Sequence, residues 1–114
     1  MSDCIFCQIA NGDIDADIVY EDDDCVAFED LNPQAPVHVL VIPKRHIESL
    51  AEATEEDVEL LGKLCRACDR VAEAKDIRDD GYRVVTNRGE KAGQTVFHLH
   101  LHVLGGRAMS WPPG

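Results

Sequence analysis

Phe97-His98-Leu99-His100-Leu101-His102-Val103 places three of the chain's five histidines at every second position, with a large apolar residue between each pair. Imidazole is partly neutral near pH 7, so a side chain of this type can bind a metal, move a proton or attack phosphorus. Extended backbone sends successive side chains to opposite faces. Phe97, Leu99, Leu101 and Val103 are therefore expected on one, core-facing side. Val96, His98, His100, His102 and Leu104 fall on the other. Neighbouring histidines then stand about 6.6 Å apart along the strand and the outer pair about 13 Å. Three readings fit such a face: a solvated polar surface, a metal chelate, or nucleophilic and acid–base work. In the last, the central imidazole attacks while its neighbours fix its tautomer and hold the substrate. Three scarce residues at consecutive same-face positions match chance poorly, and one ion held by all three would strain a regular strand. Nucleophilic chemistry is the preferred reading.

A second constellation lies at the N-terminus. Cys4-x-x-Cys7, taken with two distant histidines, supplies two thiolates and two imidazoles, the ligand types of a zinc site. The alternative is that both cysteines pack as small apolar side chains. Cys65-x-x-Cys68 reads as core packing on a helix, and Cys25 reads as core in a strand.

These residues need elements to position them. Residues 4–10 make a short helix stopped near Asn11-Gly12. Ile18 to Glu21 and Cys25 to Glu29 are strands joined at Asp22-Asp23-Asp24. A Pro-interrupted loop from Leu31 to Pro36 leads to a strand from Val37 to Ile42, ended by Pro43. Thr54 is an expected N-cap with Asp57 three residues on, opening a helix that runs to about Ala74. Its apolar stripe is Val58, Leu61, Leu64, Cys65, Cys68 and Val71. Asp79-Asp80-Gly81 is a turn, Tyr82 to Asn87 a strand, and Gln94 to Leu104 a last long strand closed by Gly105-Gly106. This order predicts an α+β fold on an antiparallel sheet, in a single domain over residues 1–114.

The chain has 114 residues, 22 acidic against 11 basic, and a formal net charge of −11. That field opposes general nucleic-acid binding, though main-chain N–H groups can still hold a small phosphorylated ligand. No run reaches the roughly 20 apolar residues of a membrane-spanning helix, and no signal peptide is evident. Five cysteines without a secretory signal favour metal binding or reduced thiols over disulfides. A cytoplasmic protein that contacts neither membrane nor nucleic acid is expected.

Gly93-Gln94-Thr95-Val96-Phe97-His98-Leu99-His100-Leu101-His102-Val103-Leu104 resembles the His-x-His-x-His-x-x signature of the histidine triad (HIT) superfamily, x being apolar. The resemblance extends through residues 28–47, the Asn87 strand and Cys4 to Ile9, and so covers nearly the whole chain. The ending Gly105 to Gly114 is similar to the histidine-triad nucleotide-binding (HINT) branch; the Fhit-like branch usually has Pro-Arg where Gly105-Gly106 stand.

The resemblance implies five antiparallel strands with one long helix and a short N-terminal helix, assembled as a homodimer. It implies hydrolysis of purine nucleoside phosphoramidates to an amine and a nucleoside monophosphate such as AMP or GMP. His100 aligns with the nucleophile that forms a nucleotidyl-histidine. His102 aligns with the residue that bonds the phosphate and helps proton traffic, and His38 with a supporting histidine. Asn87, Thr95 and main-chain N–H groups from Gln94 to Val96 would hold the α-phosphate. Thr95 stands where Ser is common, which puts any proton-donor role there in doubt. Asp30 would grip the ribose, Phe6, Ile9 and Phe28 would form the purine pocket, and Trp111 would reach the partner's site. Cys4, Cys7, His46 and His98 would bind structural zinc. The resemblance leaves two other functions open: a Fhit-like dinucleoside polyphosphate hydrolase, and a nucleotide-binding regulatory protein with vestigial catalysis.

Overall fold

The computed structural model describes residues 3–114. Among them, a short helix α1 (Ile5–Ala10) precedes strands β1 (Ile18–Glu21), β2 (Cys25–Glu29) and β3 (Val37–Pro43). The long helix α2 (Val58–Ala74) follows, then β4 (Tyr82–Val85) and β5 (Leu101–Gly105). The five strands form one antiparallel sheet in the order β1-β2-β3-β5-β4. This is the α+β architecture expected from the sequence.

Local chemistry sets the joints. Both the Asp24 and Cys25 main-chain N–H groups donate to Asp22 at 2.8 Å, which closes the β1–β2 hairpin with a side chain where a turn needs an acceptor. Thr54 and Asp57 form a reciprocal capping box at a 3-10 turn, Glu55–Asp57, that feeds directly into α2. At the far end of β5, a Cβ on Gly105 would lie 2.5 Å from Ile77 Cδ1, so a larger residue there would make the Ile77 side chain shift.

Alternation on the central strands makes two cores. Val39 and Val41 of β3, with Leu101 and Val103 of β5, face α2 and pack against Leu64, Ala67, Cys68 and Val71. Each fully buried aliphatic side chain here contributes about 1.5–3 kcal/mol. Leu40 and Ile42 point to the opposite face, where Val26, Phe28 and Phe6 of α1 complete a smaller cluster. The candidate cleft residues lie on this second face.

Three expectations are corrected. The histidine segment is not one long strand: regular pairing begins only at Leu101. Continuing the β3–β5 register would place Leu99 opposite Pro43, which has no N–H to give; the Leu99 N–H bonds instead to the Ile47 carbonyl at 2.6 Å. The bend before it turns Phe97 outward, 51% exposed, although Leu99, Leu101 and Val103 do face α2. On α2, Val58 is 60% exposed and Cys65 is exposed, whereas Ala67 and Ala72 are buried. The buried stripe is thus rotated from the expected one. β4 also ends at Val85, two residues short of Asn87.

Candidate active site

The second face of the sheet carries a cleft of about 320 Å³ between α1, the end of β2 and the histidine segment, within the range of small-ligand sites. Its lining is apolar at one end, with Phe6, Ile9, Phe28 and Leu40. At the other end stand Asp30, Thr95, His100 and His102. A larger groove, of about 390 Å³, lies beside the first turns of α2. It contains no histidine, and several of its charges are paired, Lys63 with Asp24 at 3.0 Å among them.

His100 is presented by its own backbone. Its Nδ1 lies 2.7 Å from the His98 carbonyl, which can only accept, so the proton sits on Nδ1 and Nε2 keeps its lone pair. Phe6 braces the ring edge-on, with centroids 5.1 Å apart and planes at 84°. This is an imidazole held in the tautomer that a nucleophile needs. His38 and His102 are diagonal neighbours across the β3–β5 pair, because Leu40 stands opposite His102 and Leu104 opposite His38. Their rings meet at 2.8 Å, and Asp30 Oδ2 lies 3.3 Å from His38 Nε2.

Burial pushes His102 down to about 4; the neighbouring His100 and His38 act the same way and Asp30 opposes them. Burial likewise lowers His38 against the pull of Asp30. Both groups therefore fold neutral, and an unfolded chain binds more protons between about pH 4 and 6.5. Stability must rise with pH through that window and be lost as pH falls through it. Carboxylates held low by partners, such as Asp57 beside Arg45, act only below their own range. The His102 contribution lost between pH 7 and pH 5 is about 2 kcal/mol. Denaturant melts at the two pH values check this: the drop should shrink by that amount in His102→Gln, and an equal drop in both proteins would contradict the assignment.

A second cluster closes the N-terminal end of the cleft wall. Cys4 Sγ lies 3.3 Å from His98 Nδ1, and Cys7 Sγ lies 3.3 Å from His46 Nδ1 and 3.4 Å from His98 Nδ1. The two Nδ1 atoms are 3.2 Å apart. His98 Nε2 donates to the Pro43 carbonyl at 2.8 Å, which leaves Nδ1 as a bare lone pair aimed at the other three donors. A tetrahedral ion with these ligand types would set its donors about 3.3–3.8 Å apart. The four side chains can thus hold a metal ion, and their donor atoms all lie within 4.8 Å of one another.

The cleft brings together Phe6, Ile9, Phe28, Asp30, Thr95, Val96, His100 and His102, with His38 behind His102. Three further candidates also stand outside its lining. Asn87 follows β4, with its amide near Gly93. The Gln94 side chain ties loops together, donating to the Glu48 carbonyl at 2.7 Å and accepting from the Gly89 N–H at 2.8 Å. Trp111 is 80% exposed beneath the Arg83 guanidinium. Sequence reasoning missed Leu40, although its alternation with His38 on β3 could have revealed it. It also missed Gln34, whose main-chain N–H donates to His38 Nδ1 at 3.0 Å.

Comparison with known proteins shows the family and the fold. A protein-family model described as the HIT domain matches residues 11–109. An uncharacterized HIT-like protein of Synechocystis is 57% identical over 112 residues, covering 98% of this chain and 97% of the relative. A HIT family hydrolase from Legionella pneumophila has a similar crystal structure, with 46% identity, a TM-score of 0.95, and coverage of 98% of this chain and 100% of that one. A histidine triad protein from Clostridium difficile gives 43% identity and a TM-score of 0.92, covering 96% of each chain. Among the described residues, no helix is long and apolar enough to cross a membrane.

Proposed function

From the premise that the chain belongs to the HIT domain family, we propose that it is a hydrolase of the HINT branch, acting on P–N bonds of purine nucleoside phosphoramidates. The observation that carries this reading is the His100 ring, its Nδ1–H fixed at 2.7 Å on the His98 carbonyl and its Nε2 free beside an apolar cleft. The purine lies among Phe6, Ile9 and Phe28, and Asp30 takes the ribose hydroxyls. His100 Nε2 attacks the α-phosphorus. A P–N bond to the enzyme forms as the substrate P–N bond breaks, and the amine leaves with the electron pair and a proton drawn from solvent, which the later attack by water returns. Water then attacks the same phosphorus, releasing the nucleoside monophosphate (AMP or GMP) and regenerating His100. Thr95, Asn87 and the main-chain N–H groups of residues 94–96 stabilise the phosphoryl oxygens as charge develops.

Cys4, Cys7, His46 and His98 hold zinc in this reading, because two thiolates and two imidazoles at tetrahedral separations suit that ion. Four protein ligands leave no open position, so the ion supplies structure rather than an activated water. It ties α1 to the loop after β3 and to the histidine segment. The active form is a homodimer in which Trp111 reaches the partner's cleft, and the chain acts in the cytoplasm without nucleic acid or membrane. The test of substrate class is the ratio of kcat/KM for an adenosine phosphoramidate to that for a diadenosine polyphosphate. We expect it to exceed about 100. A ratio below one would favour the Fhit-like reading, and turnover of neither would favour a binding role.

A further inference from the structure

His38 and His102 form a chain of imidazoles that the nucleophile itself does not use, and the direction of that chain can be worked out. The Gln34 main-chain N–H donates to His38 Nδ1 at 3.0 Å. A backbone amide cannot reverse its role, so Nδ1 carries no proton and a neutral His38 must be protonated on Nε2. That proton has two acceptors in reach, His102 Nδ1 at 2.8 Å and Asp30 Oδ2 at 3.3 Å. The nearer contact requires a lone pair on His102 Nδ1, since two N–H groups would otherwise collide. The His102 proton therefore sits on Nε2, the far side of a ring that lines the cleft. Asp30, His38 and His102 are close enough to have held a cation, with donor atoms within 4.8 Å. While Gln34 occupies Nδ1, however, His38 has no lone pair to give at Nε2.

The loop that carries Gln34 is itself pinned. Asp30 Oδ1 accepts from the Asn32 N–H at 2.8 Å, and Arg107 Nη2 donates to the Gln34 carbonyl at 3.2 Å. Gly106, at φ +86°, presses against Pro36, and a Cβ there would lie 2.9 Å from Pro36 Cβ. Residues after β5 thus hold the amide that points at His38.

We propose that the Gln34 main-chain N–H is a positioning group: it fixes His38, and through it His102, as Nε2–H tautomers, so that His102 offers the substrate's phosphoryl oxygens a neutral N–H donor and transfers no proton. The donor role rests on the hydrolase reading above; the tautomer assignment does not. A neutral His102 also has no proton to spare, because giving up Nε2–H would leave an imidazolate. Burial, which disfavours charge on both rings, works in the same direction.

The test uses the full chain labelled with nitrogen-15 in its histidine rings, read by long-range proton–nitrogen correlation at pH 7. His38 and His102 should both show the neutral Nε2–H pattern, and an Nδ1–H or cationic His102 overturns the proposal whatever the enzyme acts on. In Gln34→Pro, which removes the N–H, the His102 pattern should average between tautomers and kcat should fall about tenfold with KM within about twofold. An unchanged pattern in the folded variant overturns the role of Gln34. A pair of substitutions at His102 needs no change in the loop. The Gln amide can replace Nε2–H, so His102→Gln should lose about tenfold in kcat and His102→Ala about a thousandfold; equal losses overturn the donor role. If the wild type hydrolyses no phosphoramidate while the spectra are as expected, the hydrolase reading fails and the tautomer chain stands.

Discussion

His100→Ala is expected to lower turnover of an adenosine phosphoramidate by about four orders of magnitude or more, with AMP affinity held within about tenfold. The two halves of that expectation come from different parts of the site. Turnover rests in this reading on one lone pair, at His100 Nε2, the nitrogen left over when the His98 carbonyl holds Nδ1–H. Affinity depends on walls that the substitution leaves in place, chiefly Phe28, Ile9 and Asp30. Phe6 loses one edge-on partner, but it keeps Phe28 at 5.4 Å and His98 at 6.0 Å, so the purine end of the cleft survives. Steady-state turnover and calorimetric titration with AMP check the two halves together. Near wild-type turnover would remove His100 from the mechanism, and loss of AMP binding would show that the ring is a wall rather than a nucleophile.

Cys7→Ser should have the largest effect on stability. The purified wild type is expected to carry about one zinc per chain and the variant less than about a tenth of that. Cys7 makes contacts to both histidines of the cluster, and its N–H also donates to Cys4 Sγ at 3.3 Å. Losing its thiolate therefore dismantles a junction of three segments that are distant in sequence: α1, the loop at His46 and the turn at His98. A loss of about 3 kcal/mol would lower the melting temperature by about 10–20 °C. A strong chelator should do the same to the wild type and leave the variant unmoved. Metal-free wild type that melts where the metal-loaded protein does would rule out zinc as the tie.

Much of this site is legible in the sequence because strands alternate. From Leu99 to Val103 the period of two assigns apolar residues to the α2 side and histidines to the cleft, and the structure has that arrangement. The rule fails at Phe97 because pairing depends on a partner, and the partner strand ends at Pro43. The phase of α2 is obscured in the sequence because Cys65 is more apolar than Ala67 or Ala72. The helix nevertheless turns its small residues to the sheet, which allows close approach. The His46 and His98 partnership with Cys4 and Cys7 came from resemblance, since no spacing rule joins residues so far apart. The Gln34 amide was invisible because a main-chain N–H belongs to every residue except proline, and only the fold says where it points.

The central claim is that the P–N bond is exchanged for a bond to His100 before water acts, so the most direct measurement is the stereochemistry at phosphorus. An adenosine phosphoramidothioate of one configuration, hydrolysed in oxygen-18 water, carries the record of the pathway. Two in-line displacements, first by His100 Nε2 and then by water, predict net retention of configuration. Net inversion would mean a single attack by water and would contradict the covalent step.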